Sequence, residues 1–100
     1  MIETRPYTVT MLVAIACDIA SDDHRRAVYE LLIQYGYKRI HKSLFESAAV
    51  DEASLIRLKR DVDRATDSYD KVRFYQFPME QTLVITSLES KKWRKLKVKV

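Results

Sequence analysis

The chain has 100 residues, 47% of them hydrophobic, which fits one domain with a modest core. One glycine and one cysteine exclude glycine-rich nucleotide-binding loops, an internal disulfide and a cysteine-based zinc site. The net charge of +4 is concentrated at one end, since residues 91–100 hold six basic residues and no acidic residue, whereas residues 1–90 hold twelve basic and fourteen acidic residues.

The first predicted element is a buried strand from Thr8 to Cys17, and Val, Met, Leu and Ile dominate it with little alternation. Asp18 follows this strand directly. A carboxylate at the end of a buried strand is a candidate ligand for a divalent cation. Asp also ends strands because it favours turns, so both interpretations of Asp18 remain open at this point.

A helix is predicted after Ser21, because its side chain can cap the helix and Asp22 and Asp23 suit the positive end of the helix dipole. Gly36 stands where a left-handed C-terminal cap is expected. The apolar stripe of this helix consists of Ala27, Val28, Leu31, Leu32 and Tyr35.

A second strand is predicted from Tyr37 to Glu46, where apolar and polar residues alternate. Asp51 then opens a second helix, and Val50 is placed to pack on Leu55 as a hydrophobic staple. The apolar face of this helix holds Leu55, Leu58, Val62 and Ala65. The opposite face is predicted to be solvated and holds Arg57, Arg60, Asp61, Asp63 and Arg64.

Three further strands are predicted: Lys71 to Phe77, ended by Pro78, then Thr82 to Ser87, and an additional strand from Lys95 to Val100. The lysines of the last strand have two interpretations. They can track a nucleic-acid backbone, or they can protect an edge strand from aggregation.

This order of elements is interpreted as βαββαβ or a close variant of it, which predicts an α+β, ferredoxin-like domain that spans residues 1–100. Its two helices would cover one face of a four-stranded antiparallel sheet, with the first strand central and residues 91–100 as a basic C-terminal strand or tail. The other face of the sheet would then be exposed to solvent. The simplest way to bury it is to pack it against a second copy of the chain in a homodimer.

Several short motifs resemble those of Cas-two, the family of small CRISPR-associated adaptation proteins that are often described as endoribonucleases. They are Ala16-Cys17-Asp18-Ile19, Asp23-His24-Arg25-Arg26, Tyr35-Gly36, Ser43-Leu44-Phe45-Glu46 and Val72-Arg73-Phe74-Tyr75. The resemblance covers about residues 9 to 87 in matching order. The chain differs at Cys17, where the family commonly has Tyr, and at His41-Lys42, where it commonly has Gln-Tyr.

The resemblance implies a homodimer in which the two Asp18 side chains face each other across the two-fold axis. Two converging carboxylates, waters and a phosphate oxygen can complete the octahedron that Mg²⁺, or Mn²⁺ in its place, requires for phosphodiester hydrolysis. In this interpretation Asp18 binds the metal, Arg25 and Arg39 hold phosphate or stabilise developing charge, and Ser43 donates a hydrogen bond.

Two functions of different classes follow. The first is a bridge that binds duplex DNA and docks the CRISPR integrase Cas-one during spacer acquisition. The second is a metal-dependent endonuclease acting on RNA or DNA, with a toxin-type ribonuclease of the same dimeric fold as a more distant alternative. We expect a cytoplasmic protein without a membrane partner, since no apolar run approaches the roughly 18 residues of a membrane span and the N-terminus is unlike a signal peptide.

Overall fold

The computed structural model of the protein describes residues 10–100, so the predicted start of the first strand at Thr8 lies outside the described residues. The elements are β1 (Thr10–Asp18), α1 (Asp22–Gln34), β2 (Lys38–His41), β3 (Leu44–Asp51), α2 (Glu52–Arg64), β4 (Lys71–Met79), β5 (Thr82–Glu89) and β6 (Lys92–Lys99). Neither of these helices is long and apolar enough to cross a membrane.

The six strands form one antiparallel sheet in the order β2-β3-β1-β4-β5-β6. Its β1, α1, β2, β3, α2 and β4 elements have the ferredoxin-like order, with β1 between β3 and β4 as expected for a central strand. The α+β, ferredoxin-like prediction is therefore confirmed, and β5 and β6 extend the sheet beyond the edge of β4.

The strand count differs from the prediction because residues 37–46 contain a hairpin rather than one strand. Lys42 and Ser43 form the turn between β2 and β3, and β3 then continues to Asp51. Alternating apolar and polar residues occur in two short paired strands as well as in one long strand, so the pattern did not reveal the turn. At the other predicted break, β4 continues through Pro78 with a register shift between Gln76 and Met79.

The core lies between the two helices and one face of the sheet. Val13 and Ile15 of β1 are fully buried on this face, together with Phe45 of β3 and Phe74 of β4. The helices contribute the buried side chains of Val28, Leu32, Leu55, Leu58 and Val62. Ala27, which was predicted on the apolar stripe of α1, is exposed.

The predicted ends of the helices are confirmed. The hydroxyl of Ser21 accepts a hydrogen bond from the His24 amide at 3.0 Å, and the carboxylate of Asp51 accepts one from the Ser54 amide at 2.7 Å. Gly36 follows α1 with a φ of 92°, a left-handed conformation that glycine adopts without steric cost.

The second face of the sheet carries no helix, and we call it the open face. It contains Leu12, Ala14 and Ala16 of β1 and the same-side residues of the neighbouring strands, among them Phe77 and Leu96. Leu12 is 40% exposed and its register partner Phe77 is 39% exposed. Leu12 and Phe77 therefore form an exposed apolar patch on this face, whereas Glu46 and Arg73, the register partners of Ala14 and Ala16, add charged side chains to it.

Candidate functional site

Asp18 is the last residue of β1 and is exposed to solvent beside a cleft of about 310 Å³. The cleft is lined by Cys17, Asp18, Ile19, Arg25, Tyr29, Arg39, Lys42 and Ser43. The structure thus brings all four candidate residues, Asp18, Arg25, Arg39 and Ser43, around one cleft. Three cations and one carboxylate line it, so its charge balance suits an anionic ligand.

Arg25 reaches this cleft from the first turn of α1. Its Nη2 donates a hydrogen bond to the Ile19 carbonyl at 3.0 Å, and its Nη1 pairs with the carboxylate of Asp22. These two contacts hold the guanidinium beside the β1–α1 loop, on the same side as Asp18.

Arg39 comes from the edge strand β2, and backbone and aromatic contacts fix its orientation. Its Nε and Nη2 donate hydrogen bonds to the Lys42 carbonyl at 3.1 and 2.6 Å. The guanidinium carbon also lies 4.9 Å from the centre of the Tyr29 ring and 5.9 Å from that of Phe45, which are cation–π distances. A guanidinium oriented in this way can contact a phosphate with little loss of side-chain entropy.

The sequence suggested that Ser43 lies near the end of a strand. In the structure, Ser43 lies in the turn between β2 and β3. Its carbonyl oxygen accepts a hydrogen bond of 2.9 Å from the Cys17 amide. This bond ties the turn to the end of β1 and brings the exposed Ser43 hydroxyl to the same cleft as Asp18.

Cys17 precedes Asp18 but points the other way, into the core, where it is 7% exposed. Burial raises the pKa of the Cys17 thiol to about 12, so the thiol is neutral at physiological pH. Cys17 is therefore a core residue and not a nucleophile of the cleft.

Asp18 also borders a second cleft, of about 410 Å³, at the same end of the open face. Lys71, Arg73, Tyr75 and Glu89 line it, and Lys71 lies directly across from Asp18 in the register of β1 and β4. The guanidinium of Arg73 lies 5.6 Å from the centre of the Tyr75 ring. Neither Lys71 nor Arg73 is among the predicted site residues, although Arg73 belongs to the motif Val72-Arg73-Phe74-Tyr75.

Asp18 suits a magnesium-type cation only in combination with other donors. Its carboxylate is exposed and accepts no hydrogen bond from residues 10–100. Mg²⁺ in proteins is commonly held by one or two carboxylates together with substrate phosphate and water. Asp18 is the single carboxylate that lines this cleft, so the described residues of the cleft do not by themselves supply a complete set of ligands for such a cation.

A different group of potential ligands, His24, Asp67 and Asp70, has its ligand atoms within 4.8 Å of one another. The carboxylate of Asp70 is already engaged by the amides of Ala20 and Asp67, at 3.0 and 2.9 Å, and by Nδ1 of His24 at 3.1 Å. Burial alone would raise the pKa of Asp70, but these hydrogen bonds outweigh it and hold the pKa below its usual range. This group therefore clamps the α2–β4 loop to α1.

The comparisons with known proteins agree with the motifs of the cleft. The family model of CRISPR associated protein Cas2, the Cas-two family named above, matches residues 11–83. A solved structure, described as the "Crystal structure of a hypothetical protein TT1823 from Thermus thermophilus", is 32% identical in sequence and superposes with a TM-score of 0.59. The match covers 73% of this chain and 85% of that chain.

No curated protein matches the chain. The family match nevertheless includes Asp18, Arg25, Arg39 and Ser43, and it spans the ferredoxin-like elements from β1 to β4. The chain therefore belongs to the CRISPR-associated Cas2 family.

Proposed function

We propose that this protein acts in the cytoplasm as a homodimer in CRISPR spacer acquisition, where it binds duplex DNA and bridges copies of the integrase Cas-one. Family membership supports a CRISPR-associated role. The observation that carries the more specific proposal is the open face, which exposes the apolar pair Leu12 and Phe77 towards one end and has Asp18 at the other.

The open face supports a dimer because its exposed apolar side chains would be buried against an apolar surface of a second copy. Small side chains at Ala14 and Ala16 allow a second sheet to approach closely, while Leu12 and Phe77 supply apolar surface. A two-fold arrangement sets the same face against itself, and an axis that passes near the end of β1 would bring each Asp18 towards its mate.

The distribution of charge supports nucleic acid as the ligand. Strand β6 carries five basic residues between Lys92 and Lys99, and Arg25, Arg39 and Lys42 lie around the Asp18 cleft. Lysine and arginine side chains bind phosphates without reading the bases, as a bridge for DNA of varied sequence requires.

Reconstituted spacer integration with purified Cas-one tests this function. We expect the parent and Asp18→Ala proteins to support integration equally, because a bridge needs no reaction at Asp18. Deletion of residues 91–100 should abolish assembly, measured as loss of the complex in analytical ultracentrifugation. Unchanged integration without the parent protein would refute the bridging role.

The Asp18 cleft itself favours a second function, metal-dependent cleavage of RNA or DNA. Asp18 would hold Mg²⁺ or Mn²⁺, which when bound lowers the pKa of a coordinated water and so makes it a better nucleophile. Arg25 and Arg39 would hold the phosphodiester and stabilise its developing negative charge, and the Ser43 hydroxyl would orient a phosphate oxygen.

Cleavage of labelled RNA and duplex DNA, with and without magnesium, tests the second function. We expect metal-dependent cutting by the parent protein and its loss in Asp18→Ala, with binding followed in the same samples. Asp23→Ala is the matched control, because this carboxylate lies nearby on α1 and is 92% exposed. Equal cutting by Asp18→Ala and the parent protein would exclude a nuclease centred on Asp18.

A further inference from the structure

A third surface, at the end of the sheet opposite Asp18, combines several lysines in a groove of about 700 Å³. It lies on the helix-covered side, between α2 and the extension formed by β5 and β6. Met11 lines this groove, and Met11 and Asp18 are roughly 23 Å apart along β1. The groove is defined here by Lys59, Lys95, Lys97, Lys99 and Glu52, and we call it the lysine groove.

The register of β5 and β6 determines which lysines enter the groove. Lys95 lies opposite Thr86 and Lys97 lies opposite Val84, and both partners are buried on the helix side of the sheet. Residues directly opposite in an antiparallel pair share a face. Lys92 and Arg94 of the same strand therefore project from the other face.

Lys59 joins these lysines from α2 and is half-buried. Its Nζ lies 5.6 Å from the centre of the Phe74 ring, a cation–π contact that holds the ammonium at the groove. Burial lowers the pKa of Lys59, and the nearby Lys95 lowers it further, while Glu52 opposes both effects. Positive charges are thus held close together here against their mutual repulsion.

The groove has little negative charge of its own to relieve that repulsion. Glu52 is the acidic residue of its lining, and none of the four lysines forms an ion pair with a carboxylate of residues 10–100. In the floor, the Thr86 hydroxyl donates a 2.8 Å hydrogen bond to the side-chain oxygen of Gln76, so these buried polar atoms are already paired. The lysines of the groove therefore keep ammonium groups that an anionic ligand can contact.

We propose that the lysine groove binds the phosphodiester backbone of a nucleic acid, at a site separate from the Asp18 cleft. Alternate residues of a strand are about 6.7 Å apart, which approaches two phosphate steps of about 3.4 Å along one strand of a duplex. Lys95, Lys97 and Lys99 therefore present a row of cations whose spacing is commensurate with the spacing of backbone phosphates. The lysine groove lies on the side of the sheet opposite the open face. A dimer formed through the open face therefore leaves the lysine groove accessible.

This inference rests on the proposed function in one respect, since that function makes nucleic acid the ligand. The position of the lysine groove does not depend on the proposed function. Three of its lysines lie on β6, which is beyond residue 83, where the family match ends. Lys59 also distinguishes the lysine groove from a general effect of the basic tail, since it comes from a different element.

Fluorescence anisotropy with a labelled DNA duplex, measured over a series of salt concentrations, tests the assignment. We expect Lys95→Gln with Lys97→Gln to reduce the slope of log affinity against log salt by about 1.8, because each phosphate that is no longer neutralised reduces it by about 0.9. The control is Arg57→Gln with Arg60→Gln, which removes the same charge from exposed positions of α2 that do not line the groove and should leave most of the slope intact.

Lys59→Gln should reduce the slope by about 0.9, whereas Arg57→Gln, a control at an exposed position of the same helix, should not. Circular dichroism of each variant verifies that it is folded. Equal reductions of the slope by the two double variants would overturn the groove assignment while leaving duplex binding in place. Absence of duplex binding by the parent protein would instead overturn the proposed function, and the groove assignment with it.

Discussion

The indole Nε1 of Trp93 donates a hydrogen bond of 2.8 Å to the carboxylate of Asp63. Lys91 donates to the same carboxylate at 2.5 Å and to the Thr66 carbonyl at 3.2 Å. Because β6 pairs only with β5 within the described sheet, these contacts attach the basic strand to the end of α2. Asp63 was predicted on a solvated face, so its role in positioning β6 is a correction to that prediction.

Asp63→Ala should lower the free energy of unfolding by about 1 to 2 kcal/mol, because the variant loses hydrogen bonds to a charged acceptor. Urea unfolding measures this change. Trp93, the single tryptophan of the chain, should also emit at longer wavelength as it becomes more exposed. Arg64→Ala, at an exposed neighbouring position, should change neither quantity, and an equal response from it would contradict the specific role of Asp63.

Asp70→Ala should be more destabilising, by about 2 to 3 kcal/mol at pH 7, because it leaves the amides of Ala20 and Asp67 without their acceptor. Since folding lowers the pKa of Asp70, its contribution is fully present above the ordinary pKa of about 3.9 and is lost as pH falls through the lower folded-state pKa. Urea unfolding of parent and variant at pH 7 and in this acid range should therefore give a difference that shrinks with acid. A constant difference would contradict the linkage.

Gly36→Ala should destabilise the protein by about 1 to 2 kcal/mol, measured by thermal or urea unfolding. A Cβ at this position meets no atom within 4 Å, so the cost comes from the left-handed backbone, with φ at +92°, and not from a clash. Gly36→Asn should cost less, because asparagine tolerates this conformation better. Equal destabilisation by both variants would point to another cause.

Leu12→Glu should dissociate the proposed homodimer, because the substitution places a charge in the exposed apolar surface that Leu12 and Phe77 form on the open face. Sedimentation velocity at several concentrations measures the dissociation. Ile56→Glu is the matched control, since Ile56 is 60% exposed on α2, away from this face. A dimer that withstands Leu12→Glu would show that its interface lies elsewhere.

Local features of the fold could be predicted from the sequence because they depend on neighbouring residues. Ser21, Asp51 and Gly36 act at helix ends as expected, since capping needs only the side chain and the backbone within three or four positions. The long apolar segment around Val13 predicted a central strand. A strand that packs on the core and has a neighbouring strand on each edge is rich in apolar residues, and this composition is visible in the sequence.

The composition of the Asp18 cleft was also predictable in part. The motif resemblance points to Asp18, Arg25, Arg39 and Ser43, and these four residues line one cleft. Their roles in binding and catalysis remain predictions. The sequence did not reveal how Arg39 is held, since that depends on the Lys42 carbonyl in a turn that the alternating pattern does not distinguish from continuous strand.

The sequence by itself thus determined the helices, their caps, the central strand and the family. Only the tertiary structure decided that residues 37–46 fold back as a hairpin, that Asp63 holds Trp93, and that Lys59 meets Lys95 in one groove. The physical reason is distance along the chain. Caps and periodic faces arise from interactions within a few residues, whereas these contacts depend on how strands pair and helices pack, which no local pattern encodes.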